Sequence, residues 1–173
     1  MDANSIYAEA KKTYEAGDRN DSVALFEQAR AAYVTAGDET LAADVANDLG
    51  VVYYLVGRQE PARQALQDAL AAYEKLGNVT GQAKALGNSA QLLNRAGDKK
   101  AAEKNYQRAA ELFHQVGERL MEFDTYRALS QMQLQNGHWL QALASYDRGL
   151  AAKGGSGALR WFLQIPLRLL GMR

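Results

Sequence analysis

Small and large apolar residues recur along this 173-residue chain at spacings of four and three, which places them on one face of a helix. A small residue comes first, a large one follows four positions later, and a second small one follows three positions after that. This pattern predicts helices that approach closely at the small positions and fill the space opposite with the large ones. It occurs four times with a period of 40 residues: Ser22, Phe26 and Ala29; Ala62, Leu66 and Ala69; Ala102, Tyr106 and Ala109; Ala142, Tyr146 and Gly149.

Glycines divide the same chain into segments of helical length. The segments between them are rich in Ala, Leu, Gln, Glu, Lys and Arg, which favour helix, and a glycine can adopt the left-handed conformation that ends a helix. Residues 40 apart match better than residues 20 apart, so each repeat is predicted to be a pair of antiparallel helices. The series has a spacing of 20 residues: Gly17, Gly37, Gly57, Gly77, Gly97, Gly117, Gly137 and Gly157. The predicted N-caps that follow are Asp18, Asp38, Asn78 and Asp98.

The repeated columns resemble the tetratricopeptide repeat (TPR), in a longer form like that of kinesin light chain-type scaffolds. The segment Leu49-Gly50-Val51-Val52-Tyr53, with Gly57, Ala62, Leu66 and Ala69 after it, follows the family pattern closely, and the likeness covers about residues 3–152. The resemblance implies an all-α, right-handed superhelical solenoid of four antiparallel helix pairs, plus a C-terminal apolar helix or cap. The predicted repeat domain is 1–152, with repeats at about 3–37, 38–77, 78–117 and 118–152.

Composition narrows the possible functions. The chain has no cysteine and only two separated histidines, His114 and His138, so neither a metal site nor a cofactor is predicted. No phosphate loop or nucleophile elbow is present, and we predict that the protein is not an enzyme. Twenty basic and 20 acidic residues give a net charge of zero, which argues against nucleic-acid binding. The first residues lack the pattern of a signal peptide, so the predicted location is cytoplasmic, with peripheral membrane association left open.

The resemblance further implies that the concave groove lined by the first helix of each pair binds a peptide segment. Several of these positions carry amides, which can pair with both the N–H and the C=O groups of a peptide backbone. Arginines there could bind a peptide carboxylate through two donors. We therefore predict a non-enzymatic scaffold or adaptor that binds a protein or peptide partner. The predicted groove residues are Asn47, Val51, Tyr54, Lys84, Asn88, Gln91, Asn94, Arg95, Arg127 and Gln131. Further positions on the predicted wall of the groove are Tyr7, Lys11, Tyr14, Asp44, Asp48, Leu55, Asp124, Leu134 and Gln135.

The composition changes after Ala152. Residues 153–157, Lys-Gly-Gly-Ser-Gly, predict a flexible linker, and residues 158–173 are apolar and basic, with no acidic residue. This C-terminal segment, termed the tail, is shorter than the roughly 20 apolar residues that span a bilayer. Its proline, Pro166, is expected to kink a helix. The residues predicted to make its contacts are Trp161, Phe162, Ile165 and Leu169.

Three ways of covering the tail remain open from the sequence. The tail could cap the end of the array as a fifth first helix, fill a groove of its own chain or of another copy, or lie on a membrane surface. The alternative functions are accordingly a self-associating module and a peripheral membrane-associated assembly factor. Residues 148–173 carry a net charge of +5 and residues 1–147 a net charge of −5, which favours a contact of the tail with the body, another copy or an anionic surface. A linker to a fused peptide would also have this composition.

Overall fold

A computed structural model describes residues 2–155 of the chain. In this part the chain is helical, without a strand, and the predicted all-α helical-repeat fold is confirmed. The tail, with its predicted contact residues Trp161, Phe162, Ile165 and Leu169, lies outside the described residues. The helices are α1 Ala3–Glu15, α2 Arg19–Ala36, α3 Glu39–Leu55, α4 Gln59–Lys75, α5 Val79–Ala96, α6 Lys99–Gln115, α7 Arg119–Gln135 and α8 Trp139–Ala152.

Two or three residues separate consecutive helices, and each of these turns contains one glycine of the 20-residue series. All seven glycines from Gly17 to Gly137 have a left-handed φ, between 66° and 96°, so their predicted role at helix ends is confirmed. The Asp38 carboxylate then accepts a 2.9 Å hydrogen bond from the Leu41 N–H, and Asn78 and Asp98 cap α5 and α6 in the same way. Asp18 is the N-cap residue of α2, as predicted, but its side chain accepts no capping hydrogen bond.

The chain divides into two compact units, residues 1–105 and residues 106–173. In unit 1, each of the helices α1 to α4 packs against the helix that follows it, and α3 also packs against α5. A hydrogen bond from Tyr7 to Asp48 also joins α1 to α3, so the first helices α1, α3 and α5 are neighbours. The second helices α2 and α4 each pack against the first helix before and the first helix after them. The aromatic ring of Phe26 and the side chain of Leu66 are buried in this core.

Two glycines in unit 1 mark points of close helix contact. A Cβ atom at Gly50 would overlap the side chain of Leu66, and a Cβ atom at Gly81 would overlap the ring of Tyr73. Neither glycine has a left-handed φ, so close packing, and not backbone conformation, requires glycine here. These two glycines therefore admit large side chains from the neighbouring helix.

Unit 2 contains the end of α6 together with α7 and α8, and its helices α7 and α8 pack against each other. Polar side chains make hydrogen bonds between these two helices. The Ser130 hydroxyl donates to the Ala142 carbonyl over 2.7 Å, and the Ser145 hydroxyl donates to the Gln133 side-chain oxygen over 2.8 Å. None of the helices within residues 2–155 combines the length and apolar composition that crossing a membrane requires.

Candidate functional site

A surface of unit 1 built from α1, α3 and α5 contains most of the predicted groove residues. It is termed the first-helix face, because these are the first helices of their pairs. Its side chains are linked across the helices by hydrogen bonds and ring contacts. Its members are Tyr7, Lys11, Asp44, Asn47, Asp48, Val51, Tyr54, Lys84, Asn88, Gln91, Asn94 and Arg95.

Four side chains of this face form a continuous hydrogen-bonded series, termed the polar row: Tyr7, Asp48, Asn47 and Asn88. The Tyr7 hydroxyl donates to Oδ2 of Asp48 over 2.7 Å. The Asn47 amide donates to Oδ1 of Asp48 over a longer distance, 3.5 Å. The Asn88 amide donates to Oδ1 of Asn47 over 3.0 Å. The row thus joins α1 to α3 and α3 to α5, and both links between helices connect residues 41 positions apart.

The polar row is partly removed from solvent. Asn47 is only 7% exposed, and Asp48 and Tyr7 are half-buried. Burial raises the pKa of Asp48, while the hydrogen bonds from Tyr7 and Asn47 act in the opposite direction. Burial and the neighbouring Asp48 carboxylate raise the pKa of Tyr7 far above its ordinary value, so this phenol stays protonated and remains a donor. Lys11 lies 4.2 Å above the Tyr7 ring and adds a positive charge beside the row.

Second helices support the face from inside the unit. The hydroxyl of Tyr73 on α4 donates to Oδ1 of Asp44 over 2.7 Å. The hydroxyl of Tyr33 on α2 donates to Oδ1 of Asn4 over 2.6 Å, which is the same contact one repeat earlier, again between residues 29 apart. The carboxylates of Asp44 and Asp48 are thus each fixed by a tyrosine hydroxyl before any partner binds.

The α5 side of the face is basic and more exposed. Lys84, Gln91 and Arg95 are exposed, and Asn94 is half-buried. The guanidinium of Arg95 lies 5.2 Å from the ring centre of Tyr54 on α3, which restricts the arginine to one side of the face. The face therefore has carboxylates on α3 and cationic groups on α1 and α5.

The structure brings eight of the ten predicted groove residues onto this face. The other two, Arg127 and Gln131, are on α7 in unit 2, where Arg127 donates to Asp124 over 3.0 Å and Gln131 is exposed. Within the face, the side-chain N–H of Asn88 and the side-chain oxygen of Asn47 are already hydrogen-bonded to each other. Asn47 is buried, so its amide holds α3 and α5 together, and the amides turned to solvent are those of α5.

Tyr7, Asp44 and Asp48 are on the predicted wall of the groove, although they are not among the ten predicted groove residues. Tyr73, which fixes Asp44, is not predicted for this surface. A signal for two of them exists in the sequence, because Tyr7 and Asp48 are separated by the same 41 residues as Asn47 and Asn88. Their burial is not visible in the sequence, where two aspartates one turn apart, Asp44 and Asp48, are typical of a solvated helix surface.

Elsewhere in unit 1, a cleft of about 340 Å³ lies between α2, α3 and α4. Ion pairs border it: Arg30 is 2.8 Å from Asp68, and Lys75 is 2.7 Å from Glu39. Because these charges are paired with each other and the remaining lining is largely alanine, the cleft offers few polar groups to a ligand. Within residues 2–155, no group of three His, Asp or Glu side chains could hold a metal ion.

Family models match most of the chain. The tetratricopeptide repeat model matches residues 7–75, and the model of the soluble NSF attachment protein, SNAP, matches residues 53–164, more than half of the chain. The chain therefore belongs to the family that the SNAP model describes, and it is a tetratricopeptide-repeat protein. The family predicted from the columns of small and large residues is thus confirmed.

Solved structures share the fold at low sequence identity. BtubC (BKLC) from P. vanneervenii has a TM-score of 0.78 at 18% identity, over 88% of this chain and 63% of that one. MamA has a TM-score of 0.65 at 18% identity, over 88% and 78%. A kinesin light chain-type protein from Podosopora anserina, with nearly identical TPR-like repeats, has a TM-score of 0.67 at 14% identity, over 93% and 91%. This chain therefore spans less than two thirds of the length of BtubC, and no curated protein matches its sequence.

Proposed function

We propose that this chain is a non-enzymatic adaptor whose first-helix face binds an extended peptide segment of a partner protein. The TPR fold is a scaffold for protein–protein interaction, and the polar row is the observation that directs the proposal to this face. Tyr7, Asp48, Asn47 and Asn88 are fixed to one another across three helices without a partner. A surface that is already ordered loses less conformational entropy when it binds.

The charges and amides of the face define the peptide that fits it. Gln91 and Asn94, one turn apart on α5, offer donors and acceptors to a peptide backbone. Arg95, held against Tyr54, suits an acidic side chain or a terminal carboxylate. Asp44 and Asp48 on α3 suit a basic side chain. We therefore expect a peptide that carries an acidic group over α5 and a basic group over α3.

The names of similar proteins agree with an adaptor role. The SNAP model is named for an attachment protein, and one structural neighbour is described as a kinesin light chain. Both names describe proteins that associate with another protein. The similarity to the kinesin light chain-type protein, at 14% identity, concerns the fold.

A peptide selection with matched variants tests the proposal. Peptides from a phage-displayed library are selected on the full chain, and their affinity is measured by fluorescence anisotropy. Gln91→Ala and Arg95→Ala should each weaken binding by about tenfold, the loss expected for a contact worth about 1.4 kcal/mol. The control is Gln67→Ala, which removes a glutamine of α4 that is also exposed and lies outside the face. Its affinity should equal that of the parent chain.

Circular dichroism first establishes that each variant keeps its helical content. Unchanged affinity in both Gln91→Ala and Arg95→Ala would refute the proposed face. Equal weakening by Gln67→Ala would also refute it, because the loss would then not depend on the position of the substituted residue.

A further inference from the structure

Tyr146 on α8 is much more exposed than its equivalents in the other repeats. Phe26, Leu66 and Tyr106 occupy the same column and are at most 5% exposed, whereas Tyr146 is 39% exposed. One helical stripe of α8 contains Tyr146 together with the buried Ala142 and with Trp139, which is 63% exposed. The ring of Tyr146 lies 6.3 Å from that of Phe123 on α7, yet this stripe of unit 2 still exposes large apolar side chains.

In unit 1, the residue at the position of Tyr146 is covered by the helix that follows in the chain, which is the first helix of the next pair. Phe26 on α2 packs in one cluster with Val45, Leu49 and Val52 of α3. Leu66 on α4 likewise packs in one cluster with Leu92 of α5. The repeat thus supplies a rule: the large residue of a second helix is buried by particular positions of the following first helix.

The tail carries apolar residues at those positions. Adding 120 to Val45, Leu49 and Val52 gives Ile165, Leu169 and Met172. The correspondence extends to all seven buried residues of α3, which are Ala43, Val45, Ala46, Asn47, Leu49, Gly50 and Val52. Their equivalents are without exception apolar: Leu163, Ile165, Pro166, Leu167, Leu169, Leu170 and Met172.

The polar residues of the tail follow the same register. Between residues 159 and 173, the tail contains Arg160, Gln164, Arg168 and Arg173. Subtracting 120 gives four positions that are exposed or half-buried in unit 1: Thr40, Asp44, Asp48 and Tyr53. A shift of one residue would break this agreement, because buried and exposed positions alternate closely along α3. The match to the SNAP model also continues into the tail, as far as residue 164.

The end of α8 leaves enough chain for the tail to reach the same unit. Gly154, with φ of 81°, follows the end of α8 at Ala152, three residues before Gly157 of the glycine series. Six residues then connect Ala152 to Leu159, where the other turns have two or three. Compared with α2, the helix α8 ends about one turn early, which is about 5.4 Å along the helix. Six extended residues span about 20 Å, so they can bridge this difference.

We propose that the stripe of α8 around Tyr146 is a docking site for residues 159–173 of the same chain, seated in the register of a fifth first helix. Ile165, Leu169 and Met172 then cover Tyr146, as α3 covers Phe26. Pro166 removes one main-chain hydrogen bond, to the carbonyl of Phe162, and bends the segment there without changing the register on either side. Gln164 and Arg168 take the positions that Asp44 and Asp48 have on α3, so the tail adds a basic position to the first helices of unit 2.

Crosslinking tests this docking directly, because the chain has no cysteine and engineered pairs are unambiguous. One variant combines Tyr146→Cys with Met172→Cys, and the control combines Tyr146→Cys with Arg160→Cys. Both are treated with a short bismaleimide at low protein concentration and analysed by denaturing gel and mass spectrometry. In the proposed register, residue 160 lies about 18 Å from residue 172 along the helix. The 146–172 pair should therefore crosslink within one chain at least about tenfold faster than the 146–160 pair.

The two residues of the control pair are nearer in sequence. If the tail did not dock on α8, the control pair would therefore crosslink at least as fast as the 146–172 pair. That outcome would overturn the proposal. A product that joins two chains would also overturn it in favour of a second copy as the occupant. Absence of the 146–172 product, together with flotation of the protein on phosphatidylserine vesicles, would overturn it in favour of a lipid surface as the place where the tail lies.

A second pair of variants keeps the test valid if the substitution at Tyr146 disturbs folding. Leu169→Asp places a charge at a covered position, and Arg168→Asp places the same charge on the solvent side. We expect Leu169→Asp to lower Tm by about 4 °C or more and Arg168→Asp to leave it within about 1 °C. Equal effects would refute the register. Neither variant changes the first-helix face of unit 1, so peptide binding there is tested independently.

Discussion

The side-chain amide of Asn88 donates a 3.0 Å hydrogen bond to Oδ1 of Asn47, which lies 41 residues earlier on the neighbouring first helix. Asn47 is buried, and its own amide points to Asp48, which also accepts from Tyr7. The three first helices of unit 1 are therefore connected through side chains of the proposed binding face. This connection makes the face a rigid part of the fold, and its residues affect stability as well as binding.

Replacing Asn88 by alanine should destabilise the protein more than replacing Gln91 by alanine. Asn88→Ala leaves the Asn47 oxygen without its donor at a buried site, which costs about 1–2 kcal/mol of the free energy of unfolding. Gln91→Ala removes an exposed amide and should change this free energy by less than about 0.5 kcal/mol. Urea denaturation followed by circular dichroism measures both. Equal values would show that the hydrogen bond between Asn88 and Asn47 contributes no stability.

Two glycines of α5 should respond in opposite ways to alanine. A Cβ atom at Gly81 overlaps the buried ring of Tyr73, and overpacking of this kind costs about 1–3 kcal/mol. A Cβ atom at Gly87 meets no atom within 4 Å, so Gly87→Ala should gain about 0.5–1 kcal/mol from helix propensity. Thermal unfolding should therefore show a lower Tm for Gly81→Ala and a higher Tm for Gly87→Ala. The same direction of change in both would contradict the packing described at Gly81.

Asp48→Asn should make the protein more stable at neutral pH but not in acid. Burial raises the pKa of Asp48 above 3.8, so the folded state holds the proton more tightly than the unfolded state does. The stability due to this difference is fully present below pH 3.8 and is lost as the pH rises through the folded-state pKa. The amide introduced by the substitution does not titrate, and its oxygen still accepts a hydrogen bond from Tyr7.

The difference in free energy of unfolding between Asp48→Asn and the parent chain should therefore grow from acidic pH to pH 7. Urea denaturation at a series of pH values measures this difference, and carbon NMR of the Asp48 carboxyl gives the pKa directly. A difference that is independent of pH, or that decreases towards neutral pH, would show that the hydrogen bonds to Asp48 outweigh its burial.

Tyr73→Phe should cost more stability than Tyr14→Phe. The Tyr73 hydroxyl donates to the Asp44 carboxylate over 2.7 Å, and a hydrogen bond to a charged group contributes about 1.5–3 kcal/mol. Tyr14 is half-buried, and residues 2–155 supply no hydrogen-bond partner for its hydroxyl, so its loss should cost less than about 0.5 kcal/mol. Chemical denaturation compares the two variants. Similar losses would mean that the Tyr73 hydroxyl does not support the face.

The candidate site could be predicted in part from the sequence. The 40-residue period places Asn47 and Asn88 on corresponding first helices, and both do lie on the first-helix face of unit 1. The period does not show that these two amides would bond to each other, or that Asp48 would be buried under a tyrosine hydroxyl. Such contacts depend on the distance and rotation between neighbouring helices, which packing across the whole repeat sets.

The sequence by itself determined the helices, the turns between them and the family. These features depend on short-range physics: residues such as Ala, Leu and Gln favour helix, and a glycine every 20 residues supplies the left-handed φ that ends each helix from α1 to α7. Only the tertiary structure decided which polar groups of the face are already paired and which are left for a partner. That distinction exists only once residues about 29 and 41 positions apart have been brought within hydrogen-bonding distance.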